Sequence, residues 1–320
     1  MLNANNASLS VLVTAATTSL GREVVRQLVE HGHRVTGLTE SSEGATLLRK
    51  LGALPAYSNP FRAGEYKSMI KLANADVVVH LLSQAFNNFP HKGLEASKRA
   101  QVITDSTTAL LEAVQDSTVK QIIYVSDTSL YGDTHGEWVD ENAPAKGSFG
   151  KVARLAEEKV LSGATPACVL RAGTVYGAHD DGMKSLGEAA QRGRSVYLGD
   201  SHVYRNWVHE ADLAKAIVLA AENHITGEVF NIADDKPASA TDFASYVATS
   251  LGLPPPSASN PPAFALSRLT SDVQREALNT SVRVKNDKAK QVLGWTPRYT
   301  SYHAGIDQAL MIWRSEPVIG

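Results

Sequence analysis

Asp76-Val77-Val78-Val79-His80-Leu81-Leu82 is a short, nearly continuous run of apolar residues. A strand that is covered on both faces has this pattern, because neither face alternates with solvent. Similar runs stand at residues 10–14, 34–38, 121–126, 167–171 and Val229–Ile232. The sequence therefore predicts a buried sheet of parallel strands.

Helical patterns lie between these runs. Residues 21–30 place Val24, Val25 and Leu28 on one face, and a long helical segment is predicted at Ala96–Val114. Strands that alternate with helices indicate an α/β fold, a Rossmann-like doubly wound parallel sheet, with ligands at the carboxyl ends of the strands. We expect residues 1–180, with about 205–235, to form this domain. Residues 181–204 and 236–320 are predicted to form a smaller C-terminal lobe, with helices at 271–278, 287–293 and 302–314.

Composition excludes several classes of function. The 31 basic and 33 acidic residues give a net charge of -2 without a run of one sign, so neither a nucleic-acid groove nor a polybasic membrane patch is expected. Cys168 is the only cysteine. An intrachain disulfide is therefore impossible, and a cytoplasmic location is the simplest expectation. The apolar runs are too short to span a bilayer, and the spacing of the histidines predicts no metal site.

Several motifs resemble the extended short-chain dehydrogenases/reductases, which include the NAD-dependent epimerases and dehydratases. Arg171-Ala172-Gly173-Thr174-Val175-Tyr176-Gly177 resembles that family's Arg-Pro-x-x-Val-Tyr-Gly. Further resemblances in the same order are found at residues 124–132, 205–214, 230–233 and 293–297. The resemblance implies a Rossmann-like sheet that binds NAD(P) and a smaller lobe that binds substrate, but a shared fold does not determine the chemistry.

The positions of the family's catalytic pair carry other residues here. The family's helix opens Tyr-Gly-x-x-Lys and has a Glu four residues after the Lys. In this chain Gly150 and Glu157 are in place, but Phe149 stands at the Tyr position and Ala153 at the Lys position. A register shifted by two would use Lys151, yet it loses both anchors and turns the side chain by about 200°. Phenylalanine has no proton to exchange and alanine has no charge, so the family's acid/base chemistry is not expected.

Asp127 falls on the family's catalytic Ser/Thr position. A carboxylate at this edge of the sheet is a candidate acid or base. The alternative is that Asp127 accepts hydrogen bonds from nearby loop amides or hydroxyls, such as those of Ser129. Both interpretations remain open from the sequence.

The cofactor positions have also changed. The family's Gly-x-x-Gly-x-x-Gly falls on Ala15-Ala16-Thr17-Thr18-Ser19-Leu20-Gly21, where only the last glycine remains. A Cβ at residue 15 is tolerated if φ stays negative, whereas Thr18 adds a branched side chain where the phosphates would lie. Thr39, at the end of the second strand, is neutral where a ribose-binding acid is usual, and Leu82 replaces a small residue.

We therefore expect NAD(P) to bind weakly or not at all. The N-terminus of the first helix, with Leu20 and Gly21 and the hydroxyls of Thr17, Thr18 and Ser19, would still suit a smaller anion.

The resemblance also implies candidate substrate-binding residues: Ser83, Ser129, Tyr131, Tyr176 and Arg205. Arg205 matches an arginine that clamps the nucleotide diphosphate in the epimerases, although a salt bridge with Asp212 or another loop acid is an equal alternative. Tyr131 and Tyr176 match positions that pack in the family. His209 is expected to be structural.

The leading hypothesis is a protein of this fold that has lost the standard redox chemistry and binds a small molecule in its interlobe cleft, or a partner. A cofactor-independent isomerase, lyase or cyclase that uses Asp127 and Arg205 is an alternative. A surviving NAD(P)-dependent enzyme with displaced groups is another. The resemblance further implies a homodimer, or a heterodimer with a paralogue, through the two helices at Ala96–Val114 and residues 149–161.

Overall fold

The computed structural model describes residues 7–82, 96–193, 202–255 and 280–315. Ser83 and the helix predicted at residues 271–278 lie outside the described residues. The strands are β1 Ser10–Val13, β2 Arg34–Thr39, β3 Leu54–Tyr57, β4 Val77–His80, β5 Gln121–Asp127, β6 Trp138–Val139, β7 Ala167–Ala172, β8 Thr174–Tyr176, β9 Trp207–His209, β10 Val229–Ile232 and β11 Arg283–Val284.

The helices alternate with these strands, as the hydrophobic pattern predicted. They are α1 Ser19–Glu30, α2 Ser42–Lys50, α3 Ala63–Ala73, α4 Ala96–Val114, α5 Gly147–Leu161, α6 Asp181–Gln191, α7 Glu210–Glu222, α8 Ala240–Ser250, α9 Asp287–Val292 and α10 Tyr302–Ser315. A short 3-10 helix, Thr128–Tyr131, follows β5.

The main sheet confirms the predicted fold class. It has seven parallel strands in the order β10-β7-β5-β4-β1-β2-β3. Every residue of β1, β4, β5 and β7 is buried, because helices cover both faces. Leu28 of α1 and Ile217 of α7 belong to the core on one face. Ile70 of α3, Leu110 of α4 and Val160 of α5 belong to the core on the other face. The carboxyl ends of β1 and β4, which are neighbours at the centre of this sheet, therefore open between two layers of helices.

The C-terminal segment contributes to two apolar cores. Residues of α6, α8 and α10 pack with Tyr176 and Trp207 in one cluster. Leu293 and Trp295, which follow α9, pack instead in the core beside the main sheet. The described residues of the segment after residue 236 thus contact both cores, and the proposed division into two lobes stays a prediction.

A buried ion pair joins α5 to β7. Arg171 Nη2 lies 2.7 Å from Glu157 Oε2, and neither side chain is more than 1% exposed. Arg171 also donates from Nη1 to the Tyr131 hydroxyl at 2.7 Å and to the Glu141 carbonyl at 2.9 Å. Glu157, the glutamate retained from the family's catalytic helix, therefore has a structural partner.

None of the helices in the described ranges is long and apolar enough to cross a membrane. Helices α4 and α5, which were expected to form a dimer interface, pack against each other. Leu155 on α5 is exposed to solvent. Assembly through these helices stays a prediction.

Candidate functional site

The loop between β1 and α1 has the backbone conformation of the glycine that it lacks. Ala15 has φ of +48°, in the left-handed region. The negative φ under which a Cβ at residue 15 would be tolerated without strain is therefore not present. A left-handed alanine costs about 1–2 kcal/mol, so the surrounding contacts must hold it there.

Gly21 explains one of these contacts. A Cβ on Gly21 would lie 2.1 Å from the Ala15 carbonyl oxygen. Only glycine permits the first turn of α1 to approach the loop this closely. The close packing predicted for the third glycine of the motif is thus present.

Thr18 caps the helix. Its Oγ1 accepts a hydrogen bond from Gly21 N at 3.1 Å and donates to the Ala15 carbonyl at 2.8 Å. A hydroxyl has one proton to donate, so Thr18 cannot also donate to a bound anion. In this conformation the hydroxyl proton of Thr18 is used within the loop, and anion binding at this end of α1 stays a prediction. The N–H groups of Ser19 and Leu20 begin the helix and have no acceptor within it.

A carboxyl group that the sequence analysis did not identify lies beside α1. The Ser19 hydroxyl donates to Glu210 Oε2, at the start of α7. Burial, mainly, and the negative charges of Glu23 and Asp180 raise the pKa of Glu210 to about 7, although the hydrogen bond from Ser19 acts in the opposite direction. The Ser19 hydroxyl is thus occupied as well. Glu210 directly follows His209 in the stretch that resembles a family motif at residues 205–214. Its acidic side chain is the signal that could have identified it from the sequence.

Other candidate cofactor residues are part of the loop structure. Thr17 accepts a hydrogen bond from Arg22 Nε through its carbonyl at 2.8 Å. Thr39 is buried, and its Oγ1 lies 3.3 Å from Ser41 N. Leu82 is buried at the end of β4. Contacts of these residues with a cofactor stay predictions.

Asp127 and Phe149, at two of the three family catalytic positions, are linked by an arginine. Asp127 is 5% exposed, and its Oδ1 accepts a hydrogen bond from Ser129 N at 2.6 Å. Its Oδ2 lies 3.7 Å from Nη2 of Arg99, on α4. The guanidinium carbon of Arg99 lies 4.4 Å from the centre of the Phe149 ring. The hydrogen bond from Ser129 N agrees with the structural interpretation of Asp127.

Ala153, at the lysine position, faces an apolar environment. It is 3% exposed and belongs to a cluster with Leu130, Tyr131, Val282 and Val284. Phe149 packs against the same cluster. The methyl group of Ala153 therefore fills space that the family gives to a lysine.

The backbone of Arg205 pairs with that of Ala238 in an antiparallel bridge. Burial lowers the pKa of the Arg205 side chain to about 10, and the charge of Asp127 acts in the opposite direction. Asp212, the alternative partner, instead accepts the backbone N–H groups of Arg298 and Tyr299 at 2.7 and 2.8 Å. The charge of Asp127, at the carboxyl end of β5, therefore acts on Arg205.

The two candidate tyrosines use their hydroxyls inside the protein. The Tyr131 hydroxyl donates to Asn231 Oδ1 at 2.7 Å, and the Tyr176 hydroxyl donates to Asp234 Oδ2 at 3.0 Å. His209 caps α7, accepting from Ala211 N at 3.2 Å. Burial lowers the pKa of His209 to about 4. These contacts agree with packing and structural roles for the three residues.

Arg99, like Glu210, is a residue of this site that the sequence analysis missed. It lies in the first turns of α4, far along the chain from every motif, and no local pattern sets it apart. The signal becomes visible only when the fold brings α4 beside the end of β5. Among the residues described, no group of three or more histidine, cysteine or acidic side chains is placed to hold a metal ion.

Residues 11–233 match the model of the NAD dependent epimerase/dehydratase family. The chain belongs to this family. The match includes the loop before α1, the positions of the catalytic residues and the strands that carry them. Membership in the family confirms the extended short-chain dehydrogenase/reductase resemblance seen in the motifs.

Relatives in the family include enzymes named as reductases. The chain is 27% identical over 309 residues to a 3-diazoavenalumate denitrifying reductase from Streptomyces sp, covering 92% of this chain and 98% of that protein. It is 25% identical over 323 residues to a 4-hydroxy-2-methyl-3-oxo-4-farnesyl-3,4-dihydroquinoline-1-oxide ketoreductase from Stigmatella aurantiaca, covering 92% and 94%.

Among solved structures, a UDP-glucose 4-epimerase from Thermus thermophilus in complex with NAD has the same fold. The TM-score is 0.74 at 19% identity, with 96% of this chain and 99% of that chain covered.

Proposed function

We propose that this protein is a reductase-type member of the family that binds NAD(P) and a small molecule without using a tyrosine–lysine pair. The observation that carries the proposal is the left-handed Ala15, which keeps the backbone of the glycine loop although the glycine is gone. This conformation is costly for alanine. Its retention supports a loop that still has to present a helix N-terminus to a phosphate group.

The N–H groups of Ser19 and Leu20 would hold the phosphate of the dinucleotide, with Gly21 keeping the helix close to the loop. Glu210 stands beside this end of the helix. Because its pKa is raised to about 7, a substantial fraction of Glu210 is neutral near neutral pH, which limits its repulsion of an anion. When bound, NAD(P)H supplies a hydride to the substrate.

The protein's own residues would bind and orient the substrate. Phe149 provides an apolar wall, and Asp127 positions the guanidinium of Arg99 beside it. Neither Phe149 nor Ala153 can exchange a proton, so the reaction would need a substrate that accepts hydride without protonation by a tyrosine. Two relatives that are named as reductases support this class of reaction, and others are named as UDP-glucose 4-epimerases.

A second candidate is a protein that binds the small molecule without turnover, the leading hypothesis from the sequence. Arg99 contacts both Asp127 and Phe149, which stand at two of the family's catalytic positions. These contacts favour the second candidate, because they occupy both positions with one arginine. Binding of a dinucleotide distinguishes the candidates, because the second has no need of it.

To test the loop, NADPH or NADH is titrated into the wild type and into Gly21→Ala. Binding is followed by the fluorescence of the cofactor. We expect saturable binding to the wild type with Kd of about 10–500 µM. In Gly21→Ala the added Cβ would overlap the Ala15 carbonyl, and binding should weaken by roughly tenfold or more.

Gly64→Ala is the matched control, since a Cβ on Gly64 meets nothing within 4 Å, and it should bind like the wild type. Equal binding to Gly21→Ala and the wild type would contradict the proposed role of the loop. Absence of saturable binding to the wild type at about 1 mM dinucleotide would favour the second candidate.

A further inference from the structure

Arg99 has an unusual environment for an arginine. Its side chain is 15% exposed, although it lies on a helix of the outer layer. Phe149 covers one face of the guanidinium group, and Asp127 approaches Nη2 no closer than 3.7 Å. That distance is an ion-pair contact but is too long for a hydrogen bond.

One edge of the guanidinium group is unused. Nε and Nη2 of Arg99 are both buried, and in the described part of the chain neither has a hydrogen-bond partner. These nitrogens form a single edge whose two N–H bonds point in nearly the same direction. Two parallel donors match the two oxygens of a carboxylate, and leaving them buried and unsatisfied is unfavourable.

A second donor lies close by. The backbone N–H of Ser129 bonds to the other oxygen of Asp127, and the Ser129 Oγ is buried without a hydrogen-bond partner. Arg99 and Ser129 therefore meet at the same carboxylate, each with unused donors. A ligand that contacts the unused donors of both Arg99 and Ser129 would accept hydrogen bonds from them.

The charge around Asp127 defines the ligand further. Two guanidinium groups, Arg99 in contact and Arg205 through its charge, act on this one carboxylate. Both groups are positive, so a monoanion bound at the free edge of Arg99 would be attracted. A diphosphate carries more charge and would be repelled by Asp127.

We propose that the cleft binds the carboxylate of a small organic acid, with the Nε–Nη2 edge of Arg99 as its receptor and Ser129 Oγ as a further donor. This inference rests on the proposed function, whose substrate class it names. Arg99 thereby takes a role that the family motifs do not assign to this position.

The experiment compares binding of acetate, benzoate and cinnamate with binding of their uncharged amides, by ligand-observed NMR, and uses UDP as a separate arm. The variants are Arg99→Met and Asp127→Asn. At least one carboxylate should bind the wild type and its amide should not. Arg99→Met should weaken that binding by roughly tenfold or more, whereas Asp127→Asn should tighten it by several-fold, because a competing negative charge is removed.

Arg99→Met should weaken carboxylate binding and Asp127→Asn should strengthen it. If Arg99→Met folds poorly, the effect of Asp127→Asn still tests the inference. Arg62→Met is the matched control, since Arg62 is 71% exposed on the surface and should leave binding unchanged. The inference is overturned if no carboxylate binds the wild type at about 10 mM, if Asp127→Asn does not tighten binding, or if UDP alone shows the dependence on Arg99. The dinucleotide titration is performed without these acids, so its failure reports on the proposed function and not on the carboxylate site.

Discussion

Replacing Glu157 with alanine is expected to lower the free energy of unfolding by about 3–5 kcal/mol, because the buried guanidinium of Arg171 loses its only counter-charge within hydrogen-bond distance in the described residues. Arg171 Nε also donates to both carboxylate oxygens of Glu157, at 3.1 Å each. The substitution therefore removes several charge-assisted hydrogen bonds together. Equilibrium unfolding in urea, followed by far-ultraviolet circular dichroism, measures the change.

The next residue on the helix provides the control. Glu158 carries the same group but its side chain is 61% exposed and pairs only with Arg154 at 3.3 Å. Glu158→Ala should change the free energy of unfolding by less than about 0.5 kcal/mol. A loss of under about 1 kcal/mol in Glu157→Ala would show that the Arg171 network contributes little to stability.

The double variant Phe149→Tyr/Ala153→Lys is expected to fold with reduced stability and to remain inactive toward UDP-glucose with added NAD. The lysine would enter the apolar cluster around Leu130 and Val284, where Ala153 is now 3% exposed. Burial of a charge without a partner costs several kcal/mol, and we expect a loss of about 2–4 kcal/mol in urea unfolding. The tyrosine would still face Arg99, and the third catalytic position would still be Asp127.

Leu155→Lys tests whether the loss is due to burial. Leu155 lies on the same helix but is exposed, so a lysine there should change stability by less than about 0.5 kcal/mol. Turnover of UDP-glucose by the double variant alone would contradict the account of the catalytic positions, since it would show that the rest of the cleft still supports the family's chemistry.

Much of the fold was predictable because its strands are buried on both faces. The run around Val77–His80 and the motif at Arg171 identify two buried strands, and the structure has both in the predicted sheet. The short exposed edge strand Leu54–Tyr57 contains a proline and exposed apolar residues, and it carries no such signal. The hydrophobic pattern of the sequence therefore predicts the central strands of the sheet better than its edge strand.

The site was less predictable, since it depends on conformation and on distant contacts. The identity of Ala15 suggested a lost glycine, but its positive φ is determined by packing against Gly21 and the Thr18 cap. Arg99 is separated from Asp127 by a helix and a strand and carries no motif of its own. The substitutions at the catalytic positions were visible in the sequence. The contacts of Arg99 with Asp127 and Phe149 were not.

The central claim is that a dinucleotide binds at the start of α1 although the catalytic tyrosine and lysine are absent. Amide NMR of protein labelled at serine and leucine, during titration with NADPH, measures this most directly. The account predicts that the amides of Ser19 and Leu20 show the largest shifts and saturate with a single Kd. Saturable binding with unchanged Ser19 and Leu20 amides, or no shift anywhere at about 1 mM NADPH, would contradict it.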